Sequence, residues 1–103
     1  MIDWDYPKTV LEAVERFMAM LPLKDRVYIA KMQKEELITL HAGMGSVIQQ
    51  EFGLATGNIP LIESCRKLIG IPDLSADQCI GVIIESLWLE LRKSHSLRIM
   101  KNE

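Results

Sequence analysis

Apolar side chains recur at steps of three and four residues through most of this chain, and this spacing constrains the fold more than any other feature. The first such stripe contains Val10, Val14, Phe17 and Leu21, and a short second one contains Leu23, Val27 and Ala30. A later stripe contains Leu61, Ile62, Cys65, Leu68 and Ile69. Spacing of this kind places side chains on one face of an α-helix, whereas a half-buried strand alternates with period two. No segment keeps up period-two alternation and no Asn-Gly hairpin turn occurs. The sequence therefore predicts an all-α fold.

Capping and stop signals divide the stripes into separate helices. Thr9 is followed three residues later by Glu12, and Ser75 by Gln78, which is the spacing of a capping box in both places. Asn58 is a good N-cap residue, and Gly53 and Gly70 stand where a helix can end in the left-handed conformation. These signals predict helices over about residues 9–21, 23–32, 34–52, 58–69 and 75–95.

Length and composition predict one compact bundle of four to five helices. The 103 residues suit a single core, and 49% hydrophobic with 25% charged residues are ordinary values for a globular protein. We expect one domain over residues 1–103, with flexible ends at 1–8 and 96–103. The short connections favour antiparallel neighbours.

Charge and hydropathy argue against two classes of partner. Twelve basic and fourteen acidic side chains give a net charge of −2, which lacks the positive field that binds nucleic acid. The most apolar stretch, residues 79–91, is interrupted by Glu85 and Glu90 and is too short to span a membrane. The first residues lack the pattern of a secretion signal, so a cytoplasmic location is predicted.

The last predicted helix has two apolar faces. A broad arc of isoleucine and leucine covers one side, while Val82 and Leu89 lie almost opposite. Either this helix lies at the centre of the bundle, or the face with Val82 and Leu89 forms an interface with a second copy of the protein. The central position is the favoured alternative.

Two ionisable residues fall within the apolar arc of the third predicted helix. His41 and Glu51 are separated by about 15 Å along the axis, so they cannot act together as an acid and base pair within that helix. We expect His41 to be a core histidine bonded to a backbone carbonyl. For Glu51 two alternatives stay open: bonding to the loop at 53–58 or to Arg92, or simple contact with water.

Gly43, Gly45 and the two cysteines complete the candidate residues. Glycine in a helix costs about 1 kcal/mol, so the pair predicts close approach of another backbone or a bound group. Cys65 belongs to an apolar stripe and is predicted to be a packed free thiol, with Cys79 slightly more exposed. No ligand pair has metal-site spacing, and neither a metal nor a cofactor is predicted.

Several short segments together resemble a family of small uncharacterised bacterial all-helical domains. The similarity spans most of the chain and implies a compact helical domain, with no established activity, cofactor or catalytic residue. It is carried by Leu21-Pro22-Leu23-Lys24-Asp25-Arg26, Glu36-Leu37, Leu40-His41, Glu51-Phe52-Gly53-Leu54, Gly57-Asn58, Leu61, Ser64-Cys65, Ile83-Ile84 and Leu87-Trp88.

Two functions agree with these features. The favoured one is a non-enzymatic protein-interaction module, either a homodimer or an accessory subunit of another protein, with Val82 and Leu89 in its interface. The alternative is a small enzyme or ligand-binding protein with a pocket near His41, Gly45, Glu51 and Asn58. A polar pocket that joins those groups would favour the alternative.

Overall fold

The computed structural model describes the backbone of residues 6–101 and the side chains of residues 6–94. Within these limits the chain forms five α-helices and no strand, which confirms the all-α prediction. Two 3-10 turns, Lys34–Glu36 and Leu54–Thr56, flank the third helix. The helices are α1 (Val10–Met20), α2 (Leu23–Ala30), α3 (Leu37–Glu51), α4 (Ile59–Ile69) and α5 (Ala76–Lys101).

The predicted caps are present at three helix starts. Thr9 Oγ1 accepts the backbone N–H of Glu12 at 3.1 Å. Ser75 and Gln78 form a reciprocal box, since Gln78 N–H donates to Ser75 Oγ and Ser75 N–H donates to Gln78 Oε1. Asn58 Oδ1 accepts from Leu61 N–H at the start of α4. These bonds satisfy N–H groups that a helix leaves unpaired in its first turn.

Helix limits differ from the prediction at three places. The segment predicted to open the third helix is a 3-10 turn, because Glu36 turns back to accept the N–H of Gln33. The second helix ends at Ala30, before Met32, whose carbonyl accepts a bond from the indole of Trp88 at 3.0 Å. The last helix continues past His95 to Lys101.

Helix α5 is the centre of the bundle, because it contacts all four other helices. Ile83 and Leu87 are completely buried on it, and Val82 is buried as well. Leu89, by contrast, is 53% exposed. The favoured central position is therefore correct, and only Leu89 of the opposite pair faces outward. Residues 1–5 and 102–103 lie outside the described part, so the flexible ends expected at 1–8 and 96–103 stay a prediction.

The second helix packs only in part through the predicted residues. The sequence pattern put Leu23, Val27 and Ala30 on the inner side; Ala30 is buried as predicted, but Leu23 is exposed and Ile29 is buried as well. None of the helices described is both long and apolar enough to cross a membrane.

Candidate functional site

A broad apolar groove with a volume of about 820 Å³ runs between α4 and α5. Its aliphatic wall combines the end of α4 with the outward face of α5. We call it the α4–α5 groove. It is lined by Leu68, Ile69, Val82, Glu85, Ser86, Leu89, Glu90, Arg92 and Lys93.

The exposed apolar side chains of this groove come from the last turn of α4 and from the outward face of α5. Leu68 is 59% exposed and Ile69 is 46% exposed in the last turn of α4, although the sequence stripe had assigned both to the core. Helix α4 ends at Gly70, and Arg66 Nε fixes the following link by donating to Leu74 O at 3.0 Å. The last turn of α4 therefore stands beside α5, with Leu68 and Leu89 both open to solvent.

A second groove continues the same surface toward α1. It has a volume of about 510 Å³ and shares Leu68, Ser86 and Glu90 with the α4–α5 groove. Leu11 of α1, which is 62% exposed, lies on its far side. Helices α1 and α4 are joined beneath it, where Val10 N–H donates to Ser64 Oγ at 2.9 Å. The apolar surface thus spans three helices.

Charged side chains surround the groove on α5. Glu85 Oε2 lies 3.6 Å from Lys34 Nζ, and Glu90 Oε1 lies 3.9 Å from Lys93 Nζ. The two lysine side chains are exposed and the two glutamates are half-buried, and pairs so open to solvent contribute little to stability. These charges are therefore free to exchange partners when another molecule approaches.

His41 lies in a different and smaller groove, between α3 and α5. It is half-buried, and its groove of about 330 Å³ also contains Ile38 and Gly81. The imidazole packs against the backbone of Gly45 and Gly81, with ring atoms 3.7 to 4.0 Å from where a Cβ would stand. The bond to a backbone carbonyl that we expected for this ring is absent from the described part of the chain.

Glu51 has neither of the partners proposed for it. Its side chain is exposed at the end of α3. Arg92 is occupied elsewhere, because its guanidinium lies 5.0 Å from the Trp88 ring centroid and 3.5 Å from Met32 O. Of the two alternatives, contact with water is the one that agrees with this position.

Asn58 joins three parts of the chain. Besides capping α4, its Nδ2 donates to Pro7 O at 2.9 Å and to Phe52 O at 2.8 Å. The sequence predicted the cap, but no local pattern reveals a bond to a carbonyl 51 residues away. The amide is fully used in holding the N-terminal segment, the end of α3 and the start of α4 together.

The structure does not gather the predicted polar residues into one pocket. His41 lines the α3–α5 groove, and Asn58 lines a separate cleft with Tyr6 and Gly57. Glu51 lines neither of them. Val82 and Leu89, which the sequence named as a candidate interface, do lie together in the α4–α5 groove.

A comparison with protein-family models matches residues 6–91 to the family described as Domain of unknown function (DUF6794). The chain belongs to this family. The match covers α1 to α4 and most of α5, and it confirms the predicted resemblance to a family of uncharacterised small domains. Comparisons with curated proteins and with solved structures gave no match.

The DUF6794 match includes every candidate residue named from the sequence, from His41 to Leu89. Arg92 and Lys93, the two cations of the α4–α5 groove, follow directly after the matched range. The apolar part of the groove therefore belongs to the family domain, and its basic end lies next to it in the chain.

The two cysteines of this DUF6794 domain face each other inside the core. Both are completely buried, so Cys79 is not the more exposed of the pair as predicted. Burial raises the pKa of both thiols, and that of Cys65 rises to about 12 with a further contribution from Cys79. Protonated thiols are poor nucleophiles, and their role is packing. No group of metal-ligating side chains occurs in the described range.

The glycines of α3 do not mark a close helix approach. A Cβ added at Gly43 would meet no other atom within 4 Å, and one at Gly45 would meet only side-chain atoms at ordinary contact distance. The predicted backbone approach is therefore wrong. Gly53 differs, because its φ is +73° and the Tyr6 ring lies 2.6 Å from the position of an added Cβ.

Replacing Gly43 with alanine should stabilise the protein by about 1 kcal/mol. The position is exposed and helical, so alanine gains helix propensity without a steric cost. Urea denaturation followed by circular dichroism would measure the gain. Gly53→Ala is the matched control and should destabilise. A loss of stability in Gly43→Ala would show that this side of α3 is more crowded than the structure indicates.

Proposed function

We propose that this chain is a non-enzymatic protein-interaction module that binds a helical surface of a protein partner in the α4–α5 groove. The observation that carries the proposal is the exposed cluster of Leu68, Ile69 and Leu89, which lines the α4–α5 groove of about 820 Å³. Leu11 extends this apolar surface to α1. Contiguous exposed apolar surface bordered by polar groups is typical of interaction sites.

The shape and chemistry of the groove favour a helix over a small molecule. Its walls are helices, and its apolar side chains can receive a partner helix with residues at three- and four-residue spacing. Pockets for small ligands are usually closed and hold a few polar groups that converge on the ligand. Here the charged residues stand at the edge and leave the aliphatic side chains to make the central contact.

The positions of the potential catalytic groups support the same proposal. Both thiols are buried and protonated, and His41 and Asn58 line separate grooves. A hydrolytic or transfer site needs a nucleophile, a base and an oxyanion donor that point to one place. The alternative of a small enzyme with a pocket near His41, Glu51 and Asn58 has no single cavity to support it.

Photo-crosslinking from inside the groove tests the proposal. A benzophenone amino acid at position 89 should capture a protein in living cells, and the same group at position 38 should not. Ile38 is a matched control, because it is an aliphatic residue 75% exposed on α3, outside the groove. Leu68→Asp should abolish the crosslink from position 89. Crosslinks from position 38 alone would contradict the proposal and support a partner for the α3–α5 groove.

A further inference from the structure

We infer that the partner in the α4–α5 groove is a second copy of this chain, with the two α5 helices antiparallel and Leu89 at the twofold axis. This inference rests on the proposed function, since it names the occupant of the same groove. The structure assigns it through the order of charges along α5. The charges on α5 of one copy are complementary to those on α5 of the other only when the two helices run antiparallel.

The relevant side chains of α5 share one face. Glu85 precedes Leu89 by four residues, and Lys93 follows it by four. At 100° per residue all three fall within about 80° of arc, and each charge stands about 6 Å along the axis from the leucine. All three line the groove. The face is therefore acidic, apolar and basic in that order.

A twofold axis at Leu89 converts this order into matched pairs. Residues an equal distance before and after Leu89 come level with each other across the interface, so Glu85 of one copy meets Lys93 of the other. Twofold symmetry produces each contact twice, which gives two ion pairs flanking a pair of leucines. The α4 residues Leu68 and Ile69 then cover the leucines from the side.

Charge repulsion disfavours a parallel arrangement of the two α5 helices. It would place Glu85 against Glu85 and Lys93 against Lys93, and like charges in such positions repel. The antiparallel arrangement costs little in existing contacts. The pairs of Glu85 with Lys34 and of Lys93 with Glu90 are 3.6 and 3.9 Å long and partly exposed, so they can be exchanged for contacts across the interface.

Sedimentation velocity of the full chain and its charge variants tests the inference. The wild type should change with concentration from the 11.7 kDa monomer to twice that mass. Glu85→Lys and Lys93→Glu should each weaken self-association by about tenfold or more, since each turns two attractions into repulsions. Glu51→Lys is the matched control for Glu85→Lys. It makes the same charge change at an exposed site on α3 and should have no effect on self-association.

Mixing the two variants gives the decisive result. In a dimer of one Glu85→Lys chain and one Lys93→Glu chain, both pairs are again of opposite sign, so the mixture should associate as the wild type does. The double variant with both changes in one chain should also recover. Circular dichroism identifies any variant that fails to fold, and the double variant then provides the test.

Two results would overturn the inference without deciding the proposed function, which the crosslink tests separately. A wild type that remains a monomer at millimolar concentration excludes the second copy. The crosslink from position 89 then reports whether another protein binds, and its absence as well would remove the proposed function. A wild type that dimerises while the mixed variants do not would contradict the antiparallel arrangement.

Discussion

Replacing Leu87 with alanine should lower the free energy of unfolding by about 4 kcal/mol, the largest loss we expect from any single change in this chain. Leu87 has no exposed surface, and it lies on the helix that all four others contact. Truncation removes buried carbon atoms and leaves a cavity that several helices would have to move together to fill. Such sites collapse poorly, which places the cost toward the upper end of its usual range.

Leu89→Ala is the matched control for that measurement. The residue type and the helix are the same, but Leu89 is half-exposed, so its truncation should change stability by no more than about 0.5 kcal/mol. Guanidinium unfolding at low micromolar concentration keeps any self-association from adding to the stability of either variant. Equal losses for the two variants would contradict the central position of α5.

The fold could be predicted from sequence because its signals are local. Thr9, Ser75 and Asn58 each accept a backbone N–H from three residues further along the chain, so their capping roles follow from spacing alone. The apolar arc of α5 is likewise a property of one helix. Local signals of this kind agree with each other along the whole chain, and such agreement specifies a helical bundle.

The candidate site could be predicted only in part, because a helical projection contains no information about neighbouring helices. Val82 and Leu89 share one face, yet Val82 is buried and Leu89 is exposed. Leu68 and Ile69 lie in an apolar stripe and are still left open at the end of α4. The groove exists because α4 ends beside α5. The way in which these two helices cross cannot be deduced from the apolar pattern of either helix alone.

The burial of the polar residues could not be predicted from helical periodicity either. His41 falls in the apolar arc of α3 but lies at its edge, over the small residues Gly45 and Gly81. Glu51 falls in that arc as well, at a position where α3 has no neighbour to cover it. Burial along a long helix changes from turn to turn, so periodicity predicts a face and not the buried length of that face.

Asn58→Leu should destabilise the protein by about 3 kcal/mol, because the substitution keeps the size of the side chain and removes all three of its hydrogen bonds. The carbonyls of Pro7 and Phe52 and the N–H of Leu61 would lose their partner in a partly buried place, where water replaces it poorly. Thr9→Ala is the control, since it removes one exposed cap and should cost about 1 kcal/mol. Thermal unfolding of both variants beside the wild type gives the comparison.

A loss no larger than that of Thr9→Ala would mean that Asn58 acts only as a cap. A clearly larger loss would mean that its amide holds the N-terminal segment to the junction of α3 and α4, which is a structural role for a residue that the sequence had placed in a candidate pocket.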